Sequence, residues 1–182
     1  MKCKKISIAF SFDGNLINKL KYSWKILKNN FNINYISKNN CQPHISLCAG
    51  SIKEIDLKKL TIKLKELKFR KFKIRSPGAG IFISEKPIIF TRWETNSFIR
   101  NYRQLIKSKT RKFFIKKNFY TTDNLWTPRS AIAYKDTSYA NLESIFNRLK
   151  FLFMKHTVEV NCILLIDCSK NKEIIIKKIK LI

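Results

Sequence analysis

The chain has 182 residues, of which 45% are apolar and only four are glycine and four are proline. This length and composition exclude a disordered chain or a fibrous repeat and suit one domain with a packed core. With 38 Lys and Arg against 12 Asp and Glu, the net charge of +26 attracts polyanions, among which nucleic acid is the most common in a cell. Because an AT-rich genome also produces chains rich in Lys, Asn and Ile, the charge alone leaves nucleic-acid binding open.

Targeting segments, disulfides and metal sites are not expected. No run of about 18 uncharged apolar residues occurs, so no membrane-spanning helix is predicted. The opening MKCKKISIAFSFDGN lacks the apolar length and cleavage site of a secretory signal. The five cysteines are odd in number and form no C-x-x-C pair, which argues against a disulfide framework or a zinc knuckle. We therefore expect reduced thiols in an intracellular protein, in the cytoplasm or an organelle, with no metal or other cofactor.

The first third of the chain predicts a strand, a helix, a second strand and a second helix. Residues 6–12 alternate between apolar and polar side chains, as strands do. Asp13 is then expected to cap a helix over 14–28, and a further helix over 56–67 follows the strand around Pro43. The apolar residues expected to face the core are Leu16, Leu20, Trp24 and Leu27 on the first helix and Leu57, Leu60, Leu64 and Leu67 on the second.

The rest of the chain continues this alternation. Residues 72–83 are strand-like around SPGAG, which is a turn or bulge signal. The later predicted elements are a strand over 87–94, a helix capped by Thr95 or Ser97 with an apolar face of Phe98, Tyr102, Leu105 and Ile106, a strand over 130–134, a helix with Leu142, Ile145, Phe146 and Leu149, and two strands over 158–166 and 173–180. Strands separated by single helices and hairpins predict the α+β class.

The stretch CQPHISLCAG, residues 41–50, holds one of the two histidines of the chain. Ile45 and Leu47 alternate with His44 and Ser46. On a strand this alternation places the imidazole and the hydroxyl on the same face, one pleat apart. This face is therefore the first candidate site.

A later stretch of the chain echoes the first. The helix, strand and helix around Pro43 and His44 are matched by a helix, a strand preceded by Pro128, and another helix. The later stretch reads WTPRSAIA, residues 126–133. The shared order indicates an internal repeat in which few residues are identical.

The Pro-His-x-Ser sequence at residues 43–46 resembles the first motif of the 2H phosphoesterases, which include the 2′-5′ RNA ligase-like (LigT-like) proteins and cyclic phosphodiesterases. WTPRSAIA has the frame of the second motif in that family, W-x-P-H-x-[ST]-φ-A, where φ is apolar. The resemblance implies a single bilobal domain over residues 1–182, with two pseudo-symmetric αβ lobes, antiparallel sheets and a central cleft. It also implies phosphodiester chemistry in which two histidines transfer protons and two hydroxyls hold phosphate oxygens.

The second motif departs from the family pattern at both chemical positions. Arg129 stands where the second histidine is expected, and Ala131 stands where the hydroxyl is expected. Ser130 is predicted to face the other side of the strand, and His156 matches no motif position. Tyr134 lies where relatives carry an aromatic that can stack on a base, although a core or rim tyrosine is an equal alternative.

Arginine and histidine act differently on a phosphate. Arginine keeps its proton, with a pKa above about 12, so Arg129 is a poor acid or base but a strong phosphate clamp. Losing one positioned proton-transfer group typically costs about 10²–10⁴ in rate. The candidate catalytic residues are therefore His44 and Ser46, and the candidate phosphate ligands are Arg129 and Ser46. The alternatives are a structural histidine at His44 and an ordinary ion pair at Arg129.

Three functions fit these residues. The leading hypothesis is a 2H-like protein that binds RNA or a nucleotide phosphate, with phosphodiesterase activity weakened or lost, as a monomer or within a ribonucleoprotein. The alternatives are an active metal-independent phosphodiesterase, a hydrolase of 2′,3′-cyclic phosphates, RNA 3′ ends or cyclic oligonucleotides, and a structural RNA-binding component of a ribonucleoprotein. The stretch KSKTRKFFIKKNFY, residues 107–120, suits single-stranded RNA, unless its lysines complement a helix end and its aromatics lie in the core.

Overall fold

The computed structural model of the protein describes residues 2–170 and 172–182. Its helices are α1 (Asn15–Phe31), α2 (Tyr35–Lys38), α3 (Leu57–Lys65), α4 (Ser97–Thr110) and α5 (Leu142–Leu149). Its strands are β1 (Cys3–Phe12), β2 (Ile45–Lys53), β3 (Phe72–Ser76), β4 (Gly78–Phe82), β5 (Ile88–Arg92), β6 (Phe114–Lys117), β7 (Arg129–Ala133), β8 (His156–Lys170) and β9 (Lys172–Lys180). The α+β class predicted from the sequence is confirmed. Within the described ranges, every helix is too short or too polar to cross a bilayer.

The larger sheet has six strands with antiparallel pairing, in the order β3-β8-β1-β2-β6, and β9 also pairs with β8. The long strand β8 pairs with β3 through residues 156–160 and with β9 through residues 162–170. Strand β2 pairs with β1 along one edge but with β6 only through residues 50–52 on the other. On the β6 side of β2, the backbone oxygens before residue 50 can therefore accept hydrogen bonds from side chains.

The smaller sheet has three antiparallel strands in the order β4-β5-β7. Only Pro77 separates β3 from β4, yet β3 belongs to the larger sheet and β4 to the smaller. A proline has no N–H for a sheet ladder, and Gly78 takes a φ of +147°, a region that favours glycine. The turn or bulge predicted within residues 72–83 is therefore the place where the chain changes sheets.

An apolar core joins the two sheets. It includes Ile45 and Leu47 of β2 together with Ile89 of β5 and Ile132 of β7. Helices α1, α3, α4 and α5 all bury apolar side chains in it. Because side chains alternate along a strand, the neighbours of these core residues lie on the opposite faces of the sheets. His44, Ser46 and Ala131 are such neighbours, and Arg129 lies two residues before Ala131 and so on the same side of β7.

The helix faces predicted from spacing are right for α1 and partly wrong for α4. All four predicted residues of α1 are buried. Helix α4 instead buries Ile99, Arg103, Ile106 and Thr110, while Phe98 is 50% and Leu105 is 40% exposed. Phe98 stacks on Phe72 with ring centroids 5.8 Å apart, so its ring packs at the rim of the core.

Two predicted helix caps are also wrong. Gly14 occupies the N-cap position of α1 without a side-chain bond, because the carboxylate of Asp13 accepts a hydrogen bond from the Asn161 amide of β8 instead. Helix α4 is capped by neither Thr95 nor Ser97. The side chain of Asn96 accepts a bond of 3.0 Å from the backbone N–H of Ile99, which is the usual bond of a helix N-cap.

Candidate functional site

His44 and Ser46 interact directly at the start of β2. His44 Nε2 lies 3.0 Å from Ser46 Oγ, and His44 Nδ1 lies 2.7 Å from the backbone oxygen of Gln42. A carbonyl oxygen only accepts hydrogen bonds, so Nδ1 carries the hydrogen. In the neutral ring Nε2 then accepts the bond from the Ser46 hydroxyl. Nε2 is therefore the nitrogen that can take up a further proton.

Glu173 at the start of β9 is a neighbour of His44 that the sequence did not suggest. Its Oε2 accepts a bond of 3.3 Å from the backbone N–H of Gln42 and lies 3.9 Å from His44 Nδ1. Its backbone N–H donates to the oxygen of Asn39 at 2.8 Å. Strand β9 thus holds the loop before β2, and Glu173 provides a counter-charge when the imidazole is protonated.

Two cysteines also lie close to Glu173, but they are poor nucleophiles. Burial raises the pKa of the Cys168 thiol to about 12, with the nearby Glu173 carboxylate acting in the same direction. The same two causes raise the pKa of Cys41. Because the thiolate is the reactive form, both thiols are poor nucleophiles at neutral pH.

Arg129 opens β7 on the smaller sheet and is half-buried. Its guanidinium donates bonds of 3.0 Å to the oxygen of Thr127 and 3.3 Å to the oxygen of Tyr120. The guanidinium carbon lies 4.7 Å from the ring centre of Phe82 and 5.7 Å from that of Tyr120. None of the ion pairs formed by the described residues includes Arg129, so the ordinary ion pair considered from the sequence is not seen there.

The environment of Arg129 leaves its charge in place. Burial lowers the pKa of Arg129 to about 10, which still keeps the guanidinium protonated at neutral pH. Two carbonyl oxygens and aromatic faces provide partial stabilisation of a cation. A half-buried cation without a carboxylate partner is suited to receive an anion, because a charge removed from water is costly when unpaired.

Tyr134 follows β7 and lies beside Arg129. Its ring meets the edge of Tyr35 with centroids 5.5 Å apart, and the Lys135 ammonium lies 5.4 Å from the centre of the Tyr134 ring. Burial raises the pKa of Tyr134, partly offset by Lys135. The side chain is half-buried, and base stacking by Tyr134 stays a prediction.

The two motif strands carry a β-bulge at the same place. On β2, Ala9 pairs with Ser46 and Ile8 with Cys48, which leaves Leu47 without a partner on β1. On β7, Phe90 pairs with Ala131 and Ile89 with Ala133, which leaves Ile132 without a partner on β5. In both strands the extra residue is the third after the motif position of His44 or Arg129. This match supports the internal repeat inferred from the sequence.

Tryptophan side chains bind equivalent carbonyls on the two motif strands. The indole N–H of Trp126 donates to the oxygen of Ser46 at 2.9 Å, and that of Trp24 on α1 donates to the oxygen of Ala131 at 3.3 Å. Trp24 precedes the first motif and binds the second strand, whereas Trp126 precedes the second motif and binds the first strand. The halves of the chain therefore hold each other's motif.

Ser130 connects the two motif strands. It is 1% exposed, and its hydroxyl donates a 2.9 Å bond to the oxygen of His44 while accepting one of 3.0 Å from Trp93 Nε1. Ala131 is exposed, so Ser130 does face away from the side of Arg129 and Ala131, as the strand alternation predicted. The hydroxyl is not a phosphate ligand; it fixes the distance between the two strands.

Arg103 of α4 supports the first motif and was missed from the sequence. It is only 6% exposed, yet its guanidinium donates to the oxygens of Leu47 at 3.1 Å and Thr121 at 2.8 Å and to Asp123 at 2.8 Å. Its guanidinium carbon lies 4.3 Å from the centre of the Trp126 ring. A charged residue placed on the apolar stripe between Ile99 and Ile106 is the signal that could have found it.

His156 and most aromatics of the basic stretch considered from the sequence lie outside this site. His156 Nε2 is 3.2 Å from the oxygen of Phe151, which is a structural contact. In the basic and aromatic stretch, Phe113 is buried and Phe114 packs on the core. Phe119 is 66% exposed, and Tyr120 packs under Arg129. Of these four aromatics, only Phe113 and Phe114 therefore lie in or against the core, which was one of the alternatives for this stretch.

The two antiparallel sheets and their helices match the LigT-like fold, which confirms the resemblance at the level of the fold. The apo crystal structure of E. coli LigT superposes with a TM-score of 0.66 at 10% identity, covering 100% of this chain and 99% of that one. The protein TT0787 of Thermus thermophilus gives 0.65 at 13% identity over 97% of each chain. E. coli LigT has also been solved in complex with 3′-AMP, with a TM-score of 0.59 at 9% identity over 100% and 99% of the chains. No protein-family model and no curated protein matches the sequence.

Proposed function

We propose that this protein binds RNA or a nucleotide phosphate between its two motif strands, with phosphodiesterase activity that is weakened or lost. The observation that carries the proposal is the Arg129 guanidinium, a half-buried cation that no carboxylate of the described residues pairs with. It occupies the motif position equivalent to that of His44. A phosphate group provides the two negative oxygens that a planar guanidinium binds best.

Only one of the two motif strands carries a side chain suited to proton transfer at neutral pH. Hydrolysis of a phosphodiester benefits from one group that takes a proton from the attacking oxygen and another that gives one to the leaving oxygen. His44 Nε2 is oriented for one of these steps. Arg129, with a pKa lowered by burial only to about 10, is a poor partner at neutral pH, and the methyl of Ala131 offers no hydrogen bond to a phosphate oxygen.

The solved structures of similar fold support the ligand class without fixing it. E. coli LigT has been crystallised with 3′-AMP and with phosphate. At 9% identity these structures establish a shared fold alone, so the same class of ligand is a proposal for this chain. The net charge of +26 acts in the same direction, because it raises the local concentration of anionic ligands.

The bond between His44 and Ser46 favours a second candidate, an active phosphodiesterase. The His44 tautomer with hydrogen on Nδ1 leaves Nε2 free of hydrogen, as a general base requires. In this reading His44 is the proton-transfer group and Arg129 stabilises the negative charge of the transition state. A metal-free assay on 2′,3′-cyclic nucleotides, RNA 3′ ends and cyclic oligonucleotides separates the two candidates by turnover.

Calorimetric titration with 3′-AMP tests the binding proposal itself. We expect Arg129→Gln to weaken 3′-AMP binding by about tenfold or more, because a charge-assisted bidentate contact is lost. Arg148→Gln, which removes an exposed cation of α5, serves as the control and is expected to leave affinity unchanged. Equal affinity for 3′-AMP in the wild type and the Arg129→Gln variant would overturn the proposal.

A further inference from the structure

A large cavity lies beside α4 and is lined in part by Trp126, whose indole N–H binds the oxygen of Ser46. It has a volume of about 570 Å³, and its lining includes Arg100, Arg103, Lys107, Arg111, Lys117 and Asp123. We call it the α4 pocket. A smaller cavity next to it shares Lys107, Arg111 and Lys117. The basic stretch found in the sequence therefore forms one wall of a defined concavity.

The cations of the α4 pocket come from one stripe of the helix and one strand. Arg100, Gln104 and Lys107 follow each other at three- and four-residue spacing, which places them on one side of α4, and Arg111 continues this spacing directly after the end of the helix. Lys117, the last residue of β6, also lines the cavity. Arg111 lies eleven positions after Arg100, which corresponds to about 16 Å at the helical rise of 1.5 Å per residue. This length exceeds that of a single phosphate group.

The charge of the α4 pocket is largely uncompensated. Five cations line it against the one carboxylate of Asp123. Asp123 accepts hydrogen bonds from Arg103 and Lys107, so its negative charge is paired with these two cations. In the described part of the chain, Arg100, Arg111 and Lys117 take part in no ion pair, and all three are exposed. The free charge is thus aligned along the pocket.

We propose that the α4 pocket binds the phosphate backbone of single-stranded RNA, as a second contact region outside the space between the motif strands. This inference rests on the proposed function, because the same RNA would present a terminal phosphate to His44 and Arg129. Trp126 connects the two regions: its ring lines the α4 pocket, and its indole N–H binds the oxygen of Ser46. A linear polyanion fits an extended row of cations, whereas a mononucleotide does not need it.

The test compares two triple variants of the full chain. In the pocket variant, Arg100→Gln, Arg111→Gln and Lys117→Gln remove three cations from the α4 pocket. In the control variant, Lys21→Gln, Lys25→Gln and Lys28→Gln remove three exposed cations from α1. The probes are a fluorescently labelled single-stranded oligoribonucleotide of about 12 nucleotides and 3′-AMP. Circular dichroism shows whether each variant keeps its fold.

We expect the pocket variant to bind the oligoribonucleotide about tenfold or more weakly, with the salt slope reduced by about 2, since each phosphate contact on a single strand contributes about 0.7. The control variant is expected to stay within about twofold, because none of its three cations lines the α4 pocket. Binding of 3′-AMP is expected to be unchanged in both. Lys117→Glu alone is expected to weaken oligoribonucleotide binding more than Lys117→Gln does.

Each failure has a distinct signature. Equal losses of oligoribonucleotide affinity in the pocket and control variants would overturn the α4 pocket and assign RNA binding to diffuse charge. Tighter binding of an oligoglutamate peptide than of RNA in the pocket would overturn the assignment to RNA. If the wild type binds the oligoribonucleotide through the α4 pocket but fails to bind 3′-AMP, the proposed function fails while the α4 pocket stands. If 3′-AMP binds and the pocket variant retains full RNA affinity, the α4 pocket fails while the proposed function stands.

Discussion

The hydroxyl of Ser130 donates a 2.9 Å hydrogen bond to the backbone oxygen of His44, and this contact fixes the spacing between the two motif strands. Ser130→Ala removes it and also leaves the Trp93 indole N–H without its acceptor. Because Ser130 and Trp93 are each only 1% exposed, we expect the free energy of unfolding to fall by about 1–3 kcal/mol. Urea denaturation measures it, with the exposed Ser108→Ala as control. A loss no larger than that of the control would show that the contact does not matter for stability.

Arg129 should act on binding and stability in opposite directions. Arg129→Gln removes a half-buried cation that lacks a carboxylate partner, so we expect the free energy of unfolding to stay constant or rise. Affinity for 3′-AMP should fall at the same time. Arg129→Lys keeps the charge but loses the planar fork, and we expect it to fall between the wild type and Arg129→Gln in affinity. Destabilisation by Arg129→Gln together with unchanged affinity would mark Arg129 as a purely structural residue.

Rebuilding the second motif should raise turnover. If His44 supplies a proton step, His44→Ala abolishes any slow hydrolysis of 2′,3′-cyclic phosphates by the wild type. Arg129→His with Ala131→Thr then restores the missing acid or base and its hydroxyl, and we expect a gain of about 10² or more in rate. A wild-type enzyme that is efficient and becomes slower on this double substitution would establish Arg129 as a catalytic residue and favour the active phosphodiesterase.

Arg103 should behave as a positioning residue for the first motif. Arg103→Lys loses the fork that holds the oxygens of Leu47 and Thr121, so we expect the free energy of unfolding to fall by about 2–4 kcal/mol. The weakened support of β2 should also lower affinity for 3′-AMP in the remaining folded protein. The exposed Arg148→Lys is the matched control. Loss of stability with full 3′-AMP affinity of the folded fraction would limit Arg103 to a structural role.

His156 should contribute to the pH dependence of stability. Burial lowers the pKa of His156, so the unfolded chain takes up its proton first as the pH falls. Its contribution is complete above the unfolded pKa of about 6.5 and is lost as the pH falls through the lower folded pKa. Compared with His156→Gln, the wild type should therefore lose more stability between neutral and mildly acidic pH. Parallel curves for the two proteins would contradict this assignment.

The sequence predicted the elements of the fold better than their contacts. Helical spacing placed Leu16, Leu20, Trp24 and Leu27 correctly because each of them packs directly on the sheets. The same spacing misassigned Phe98, whose ring stacks on Phe72 at the rim. The break at Pro77 was visible as a turn, but the sheet that each strand would join depends on pairing with residues far along the chain.

At the candidate site, the sequence revealed the motif residues and missed what supports them. His44, Ser46 and the frame around Arg129 were recognisable because they are close in sequence. Arg103 was missed since a charged residue on a helix is normally assigned to the surface. Glu173 was missed because the pairing of β8 and β9 brings it back to Gln42 across 131 positions. The two bulges depend on strand register, which no local pattern specifies.

The bonds from Trp24, Trp126 and Ser130 all end on main-chain oxygens. These bonds depend on the backbone carbonyls of residues 44, 46 and 131 and not on the side chains at those positions. The same scaffold can therefore carry the imidazole of His44 and the hydroxyl of Ser46 on one strand, and the guanidinium of Arg129 and the methyl of Ala131 on the other. Chemistry and framework are thus separable at these positions: side-chain substitutions at residues 44, 46 and 131 are expected to leave these hydrogen bonds in place.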